Sequence, residues 1–132
     1  MAFAPVWLFW VWTWVCVFEN EEIVRNMNPD QHLLMKIEGR IQNATTQGNA
    51  ADCVSRSFCP KLAIPEDPVC GSAHCQIADY WSGVLGKEDI IAYQASKRGG
   101  TLHCHLTKDG RIQISGEAVL FAVAEIQEGA LE

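Results

Sequence analysis

The chain has no basic patch. Its ten Lys and Arg are scattered against sixteen Asp and Glu, a formal net charge of −6 over 132 residues. A phosphate backbone needs a clustered positive face, so no nucleic-acid partner is expected. It also has no C-x-x-C pair. The six cysteines stand at 16, 53, 59, 70, 75 and 104, mostly inside apolar stretches. An even count in a short chain can signal disulfides, but the Gly- and Pro-rich loops of a stapled fold do not frame these residues. The simpler account is reduced thiols packed as small hydrophobes, which points to the cytoplasm. Internal repeats and low-complexity segments are missing too. So is any charged side chain before Glu19, although Trp7, Trp10, Trp12 and Trp14 crowd this stretch. It lacks the basic n-region and small-residue cleavage site of a secretory signal. As a membrane span it is borderline against the roughly twenty apolar residues required. Alternation at Trp10, Trp12 and Trp14 reads equally well as a strand, and a membrane partner is not expected. Asn43-Ala44-Thr45 fits a glycosylation acceptor, which matters only in a secreted chain.

What is present fits one globular domain: 48% of residues are hydrophobic, enough for a real core. A strand is expected over 13–18. Asn20 would cap a helix over 21–27, with Glu21 and Glu22 in its first turn, and Asp30 would open another over 31–37. Residues 39–49 are polar and read as loop, with 41–46 a poor strand. Cys53 to Phe58 reads as a strand closed by Pro60. Apolar residues at 73, 77, 80, 81, 84 and 85 have helical spacing, with Gly86 as the C′ glycine. Strands follow over 89–95, 101–106, 111–115 and 117–126, with a turn at 97–100 and a hairpin tip at Asp109-Gly110. One buried helix among mostly antiparallel strands is an α+β pattern. Trp81, Tyr80 and Leu85 read as core.

The stretch Glu66-Asp67-Pro68-Val69-Cys70-Gly71-Ser72-Ala73-His74-Cys75 gathers an acid, thiols, a hydroxyl and an imidazole around one glycine, just before the central helix. Unpaired N–H groups at a helix start attract anions such as a carboxylate. Gly71 lets the main chain approach a ligand, and Asp67 or Cys70 would move a proton beside it. The plain alternative is a helix start capped by Ser72, with Asp67 favouring the dipole. His103-Cys104-His105 would place two imidazoles on one strand face, and with His74 or Cys75 they suggest zinc. No structural zinc spacing is matched, so no metal is assigned.

Glu66 to Cys75 resembles the EDPVTGSAH signature of the phenazine-biosynthesis-like (PhzF-like) isomerases. Asp52 to Leu62 resembles that family's D-F-x-S-R-x-F-x-P segment, Tyr93 to Gly100 its Q-x-S-x-R-G-G segment, and Asp109 to Val119 its closing hairpin. Order and spacing hold over 51–127 and more weakly back to about residue 14. The resemblance implies one lobe of the diaminopimelate-epimerase-like fold, a mostly antiparallel sheet wrapped around a central helix. It covers 13–132 as a carboxy-terminal lobe and leaves 1–12 unassigned. It further implies cofactor-independent proton transfer on a small carboxylic acid. Asp67, Cys70 and Ser72 would be catalytic, and Gly71, Ser72, Ala73, His74 and Arg98 would bind substrate. Gly99-Gly100, beside Arg98, is equally a tight turn.

Cys70 replaces the family's usual threonine. Cys70-Gly71-Ser72-Ala73 instead resembles the Cys-Gly-Thr-Gly stretch of cofactor-independent amino-acid racemases and epimerases. A helix start favours thiolate there, though the thiol is also simply of threonine's size. The amino-terminal S-E-T-A-F and G-N-P-A-A-V segments, the first holding the family's main acid/base, are not in the chain. A half-site that is weak or inactive alone is therefore expected, completed by a separate amino-terminal lobe or by a homodimer. A non-enzymatic interaction domain and a non-functional fragment are the alternatives.

Overall fold

The computed structural model describes residues 7–11 and 13–125, the first group as backbone only. Eight strands make one mixed sheet: β1 (Trp7–Val11), β2 (Thr13–Val17), β3 (Gln42–Gln47), β4 (Cys53–Phe58), β5 (Glu66–Asp67), β6 (Asp89–Gln94), β7 (Gly100–Leu106) and β8 (Ile112–Ser115). Their order is β1-β2-β3-β4-β6-β7-β8, with β5 paired to β4 beside that path. The β2–β3 and β4–β6 pairs are parallel and the others antiparallel. Each parallel pair needs a long crossover. The first runs through two short helices, α1 (Glu21–Arg25) and α2 (Gln31–Leu34), and the second through the long helix α3 (Gly71–Leu85).

The helices form where the caps predict. Asn20 Oδ1 accepts from the Ile23 N–H, and Asp30 Oδ1 accepts from His32 and Leu33. Gly86 ends α3 with φ 65°, where a Cβ would be strained. Two layers of core result. Ala73, Ile77, Ala78 and Trp81 of α3 pack on Val15, Cys53, Ile90, Ala92, Leu102 and Cys104. Fully burying a side chain such as Ile77 stabilises the fold by roughly 1.5–3 kcal/mol. On the other face Val24 of α1 meets Phe18, Ala44, Val54 and Phe58.

Four expectations need correction. The polar stretch placed in a loop is β3, central to the sheet and buried from Gln42 to Thr46. Its ladder is complete on both sides. The Thr45 hydroxyl donates to the Val54 carbonyl at 2.9 Å and accepts from Trp81 Nε1 at 3.0 Å. Polar, β-branched side chains suit a buried strand once their hydroxyls are paired. The strand expected over 117–126 does not form over its described part. Residues 116–125 join no ladder among the described residues, and Phe121 is 97% exposed. Helix α2 stops at Leu34 instead of running to 37; Leu34 packs on the Phe18–Val24–Phe58 cluster, while Leu33 and Ile37 stay exposed. Finally Cys70, not Ser72, occupies the N-cap of α3, and its side chain makes no capping bond.

Candidate active site

The loop from Asp67 to Cys70 is fixed from the far end of β6. Gln94 is fully buried; its Nε2 donates to the Asp67 carbonyl at 2.5 Å and its Oε1 accepts from the Cys70 N–H at 2.7 Å. Ser96 Oγ donates to the Pro68 carbonyl at 2.7 Å and accepts from the Gly99 N–H at 3.0 Å. The loop thus leaves β5 at a set angle and delivers Gly71 to the start of α3. A second anchor sits behind it. Arg56 makes a two-point pair with Glu66, both contacts at 2.8 Å. Such forked pairs hold direction as well as charge.

Asp67, Cys70 and Ser72 are brought together. Asp67 is half-buried, and its Oδ1 accepts from the Val69 N–H at 3.0 Å. Cys70 Sγ and Ser72 Oγ lie 3.4 Å apart. Cys59 lies against the same cluster. Burial first, then the Asp67 carboxylate and the Cys70 thiol, push its thiol up to about 11. Gly71 and Ser72 are exposed, and no side chain caps the α3 start they form. That leaves the helix's positive end free to meet an anion.

Gly71 and Arg98 line one open groove of about 800 Å³ between the α3 start and the β7–β8 edge. Arg98 is exposed and has no ion pair among the described residues; Glu117 and His103 line the same groove. The glycine pair is required by close approach. A Cβ on Gly100 would lie 2.4 Å from Val69 Cγ2, and one on Gly99 would lie 2.4 Å from the Tyr93 hydroxyl. Ala73 and His74 are not in the groove, because both side chains are fully buried. His74 Nδ1 meets the Cys70 carbonyl at 2.7 Å and Nε2 meets Ser55 Oγ at 3.1 Å. Burial first, opposed by the Cys70 bond and by Asp67, holds the imidazole below its ordinary range, so it is neutral at pH 7. It positions the helix start and cannot touch a ligand as it stands.

The zinc arrangement does not assemble. His103 and His105 lie on the face of β7 opposite Cys104, which packs under α3, and His74 lies inside the core. Among the described residues no three His, Cys, Asp or Glu side chains are grouped for a metal. Sequence reasoning passed over Gln94 as a positioning residue. A glutamine two places before a serine, at the end of a strand leading into Arg-Gly-Gly, was the available signal.

The fold defines the class: an α+β lobe, a mixed sheet packed on one long helix, with Asp67, Cys70 and Ser72 at that helix's start. The profile described as "Phenazine biosynthesis-like protein" (PhzC-PhzF) matches residues 7–124. The chain belongs to that family. It is 42% identical over 111 residues to an uncharacterized isomerase of Pseudomonas aeruginosa, covering 84% of this chain and 42% of the relative. It is 40% identical over 113 residues to a human phenazine biosynthesis-like domain-containing protein, covering 86% and 36%. A phenazine biosynthesis PhzC/PhzF crystal structure from Clostridium difficile superposes with TM-score 0.87 at 40% identity, over 94% of this chain and 48% of that one. A PhzF-family structure from Enterococcus faecalis gives 0.86 at 39%, over 91% and 46%. The chain spans less than half the length of these relatives.

Proposed function

We propose that this chain supplies one face of a cofactor-independent isomerase site that moves a proton on a small carboxylic acid. One observation carries the reading: the uncapped start of α3 at Gly71 shares one groove with the guanidinium of Arg98, which has no ion pair among the described residues; Asp67, Cys70 and Ser72 flank Gly71 in the chain but do not line that groove. The substrate carboxylate would sit on the Gly71 and Ser72 main chain with Arg98 as counter-charge. Asp67 then handles the proton, with Ser72 holding the carboxylate and Cys70 as a second proton group. Two relatives bear the name uncharacterized isomerase, which supports the reaction class. Efficient transfer needs a donor and an acceptor on opposite sides of the carbon, so an amino-terminal lobe or a second copy completes the site. Six free thiols fit a reducing compartment such as the cytoplasm.

A second reading rests on the exposed run Val119 to Val123. Four large apolar side chains in the open mark a surface made for a protein partner, with or without catalysis. The deciding assay is α-proton exchange by NMR in D₂O over a panel of small carboxylic acids. The isomerase reading expects slow exchange by the full chain, lost in Asp67→Asn and reduced in Ser72→Ala. Wild-type exchange no faster than buffer, with the fold intact, favours the interaction domain.

A further inference from the structure

Two fully buried side chains on neighbouring strands hold the residue that precedes α3. Ser55 on β4 and Gln94 on β6 are register partners across the parallel pair, and neither is exposed to solvent. Gln94 Oε1 accepts from the Cys70 N–H at 2.7 Å. Ser55 reaches the other end of Cys70 through His74. Its Oγ lies 3.1 Å from His74 Nε2, and Nδ1 of the same ring lies 2.7 Å from the Cys70 carbonyl oxygen.

The direction of these bonds follows from their chemistry. A carbonyl oxygen only accepts, so Nδ1 carries the proton. The opposite tautomer would set a bare Nδ1 against that oxygen, two acceptors in contact. The buried ring is neutral at pH 7, so Nε2 is bare and accepts from the Ser55 hydroxyl. A relay results, from Ser55 O–H to His74 and from His74 Nδ1–H to the Cys70 carbonyl. A trans peptide is planar, so the Gly71 N–H points away from the carbonyl that His74 draws inward. Gly71 lines the groove that also holds Arg98. A Cβ at Gly71 would meet nothing within 4 Å, so packing does not hold this turn of the chain and hydrogen bonds must.

We propose that Ser55 is a positioning residue for this groove: by closing the relay through His74 it holds the Cys70–Gly71 peptide with its N–H turned outward, set to donate to a carboxylate. Glycine gives the chain freedom at this point and the relay removes it. An anion then meets a donor already in place, and does not have to order the loop as it binds. The use of that N–H on a carboxylate rests on the isomerase reading; the hold of Ser55 on Gly71 does not.

Nitrogen NMR of the full chain at pH 7 tests the relay without any variant. Wild type is expected to show His74 with Nδ1 protonated and Nε2 bare, and the reverse overturns the proposal. In Ser55→Ala the Gly71 amide signal should leave its wild-type position, and Ser55→Thr, which keeps the hydroxyl, should bring it back. Lost stability alone does not move a folded-state signal at Gly71. A Gly71 signal unchanged in Ser55→Ala overturns the proposal. Should that variant fail to fold, Ser55→Cys, a weaker donor of similar size, should move the signal in the same direction, and no movement there has the same force. Titration with sodium acetate at constant ionic strength then reads the donor itself. The Gly71 amide should respond saturably in wild type and with about fivefold weaker affinity in Ser55→Ala, the order of one hydrogen bond. Equal affinity in the two chains overturns the proposal. No response of the wild-type amide to acetate, with the ring and Gly71 signals as expected, overturns the carboxylate reading and leaves the Ser55 relay standing.

Discussion

His74 ties stability to pH through a group that never reaches solvent. Its folded pKa lies below the ordinary 6.5, chiefly from burial. Above about 6.5 both folded and unfolded chains hold a neutral imidazole, and the fold keeps its full stability. As pH falls below that value the unfolded chain binds a proton that the folded chain refuses. Stability then drops by up to ~1.4 kcal/mol per pH unit until the folded pKa is reached. Urea midpoints measured from pH 8 to 5 should show this slope, and His74→Gln should flatten it while lowering the plateau. Asn43 and Ser57 make a second residue-scale case. They face each other across β3 and β4, both at most 1% exposed, and Asn43 Oδ1 and Nδ2 and Ser57 Oγ have no partner among the described residues. Replacing both by apolar residues of like size should raise stability by about 1–3 kcal/mol, because an unpaired buried polar group costs about that much. Denaturant unfolding of Asn43→Leu/Ser57→Ala measures it, and a loss of stability would mean that water or a ligand pairs with them.

Among the elements, α3 was the most legible. Its apolar spacing, its Gly86 stop and its buried Trp81 all follow from local pattern. β4, β6 and β7 were legible for the same reason, as were the caps Asn20 and Asp30. β3 was not, because its composition is that of a loop and the partners that pay for its polar side chains lie far off in sequence, at Val54 and Trp81. Segment 116–125 failed in the opposite direction. Its alternating apolar residues carry a strand pattern, but a strand needs a ladder partner, and none lies beside it among the described residues. At the site, motif residues showed which side chains gather at the α3 start. They did not show that Ala73 and His74 turn inward, since helix phase, not motif membership, decides which side faces the core.

For the whole molecule, span and exposure agree. The chain covers 42% of its Pseudomonas aeruginosa relative and leaves Val119, Leu120, Phe121 and Val123 bare. Light scattering on a sizing column should find the full chain as a dimer or larger species. Truncation after Gly116 should shift it toward monomer if that segment drives association, whereas an unchanged mass would place the contact elsewhere. The segment 26–38, which arches over Trp14, Gln42 and Phe58 on the sheet, carries a different lesson. Every anchor that holds it lands on a backbone carbonyl, at Arg25, Met27, Ile37 and Glu38. Any residue provides such a carbonyl, so the arch's side chains are free to drift while Trp14, Arg56 and Lys61 keep it in place. The side chains of that segment can therefore be rewritten over evolutionary time without dismantling it, and the surface it presents can change while the fold stays constant.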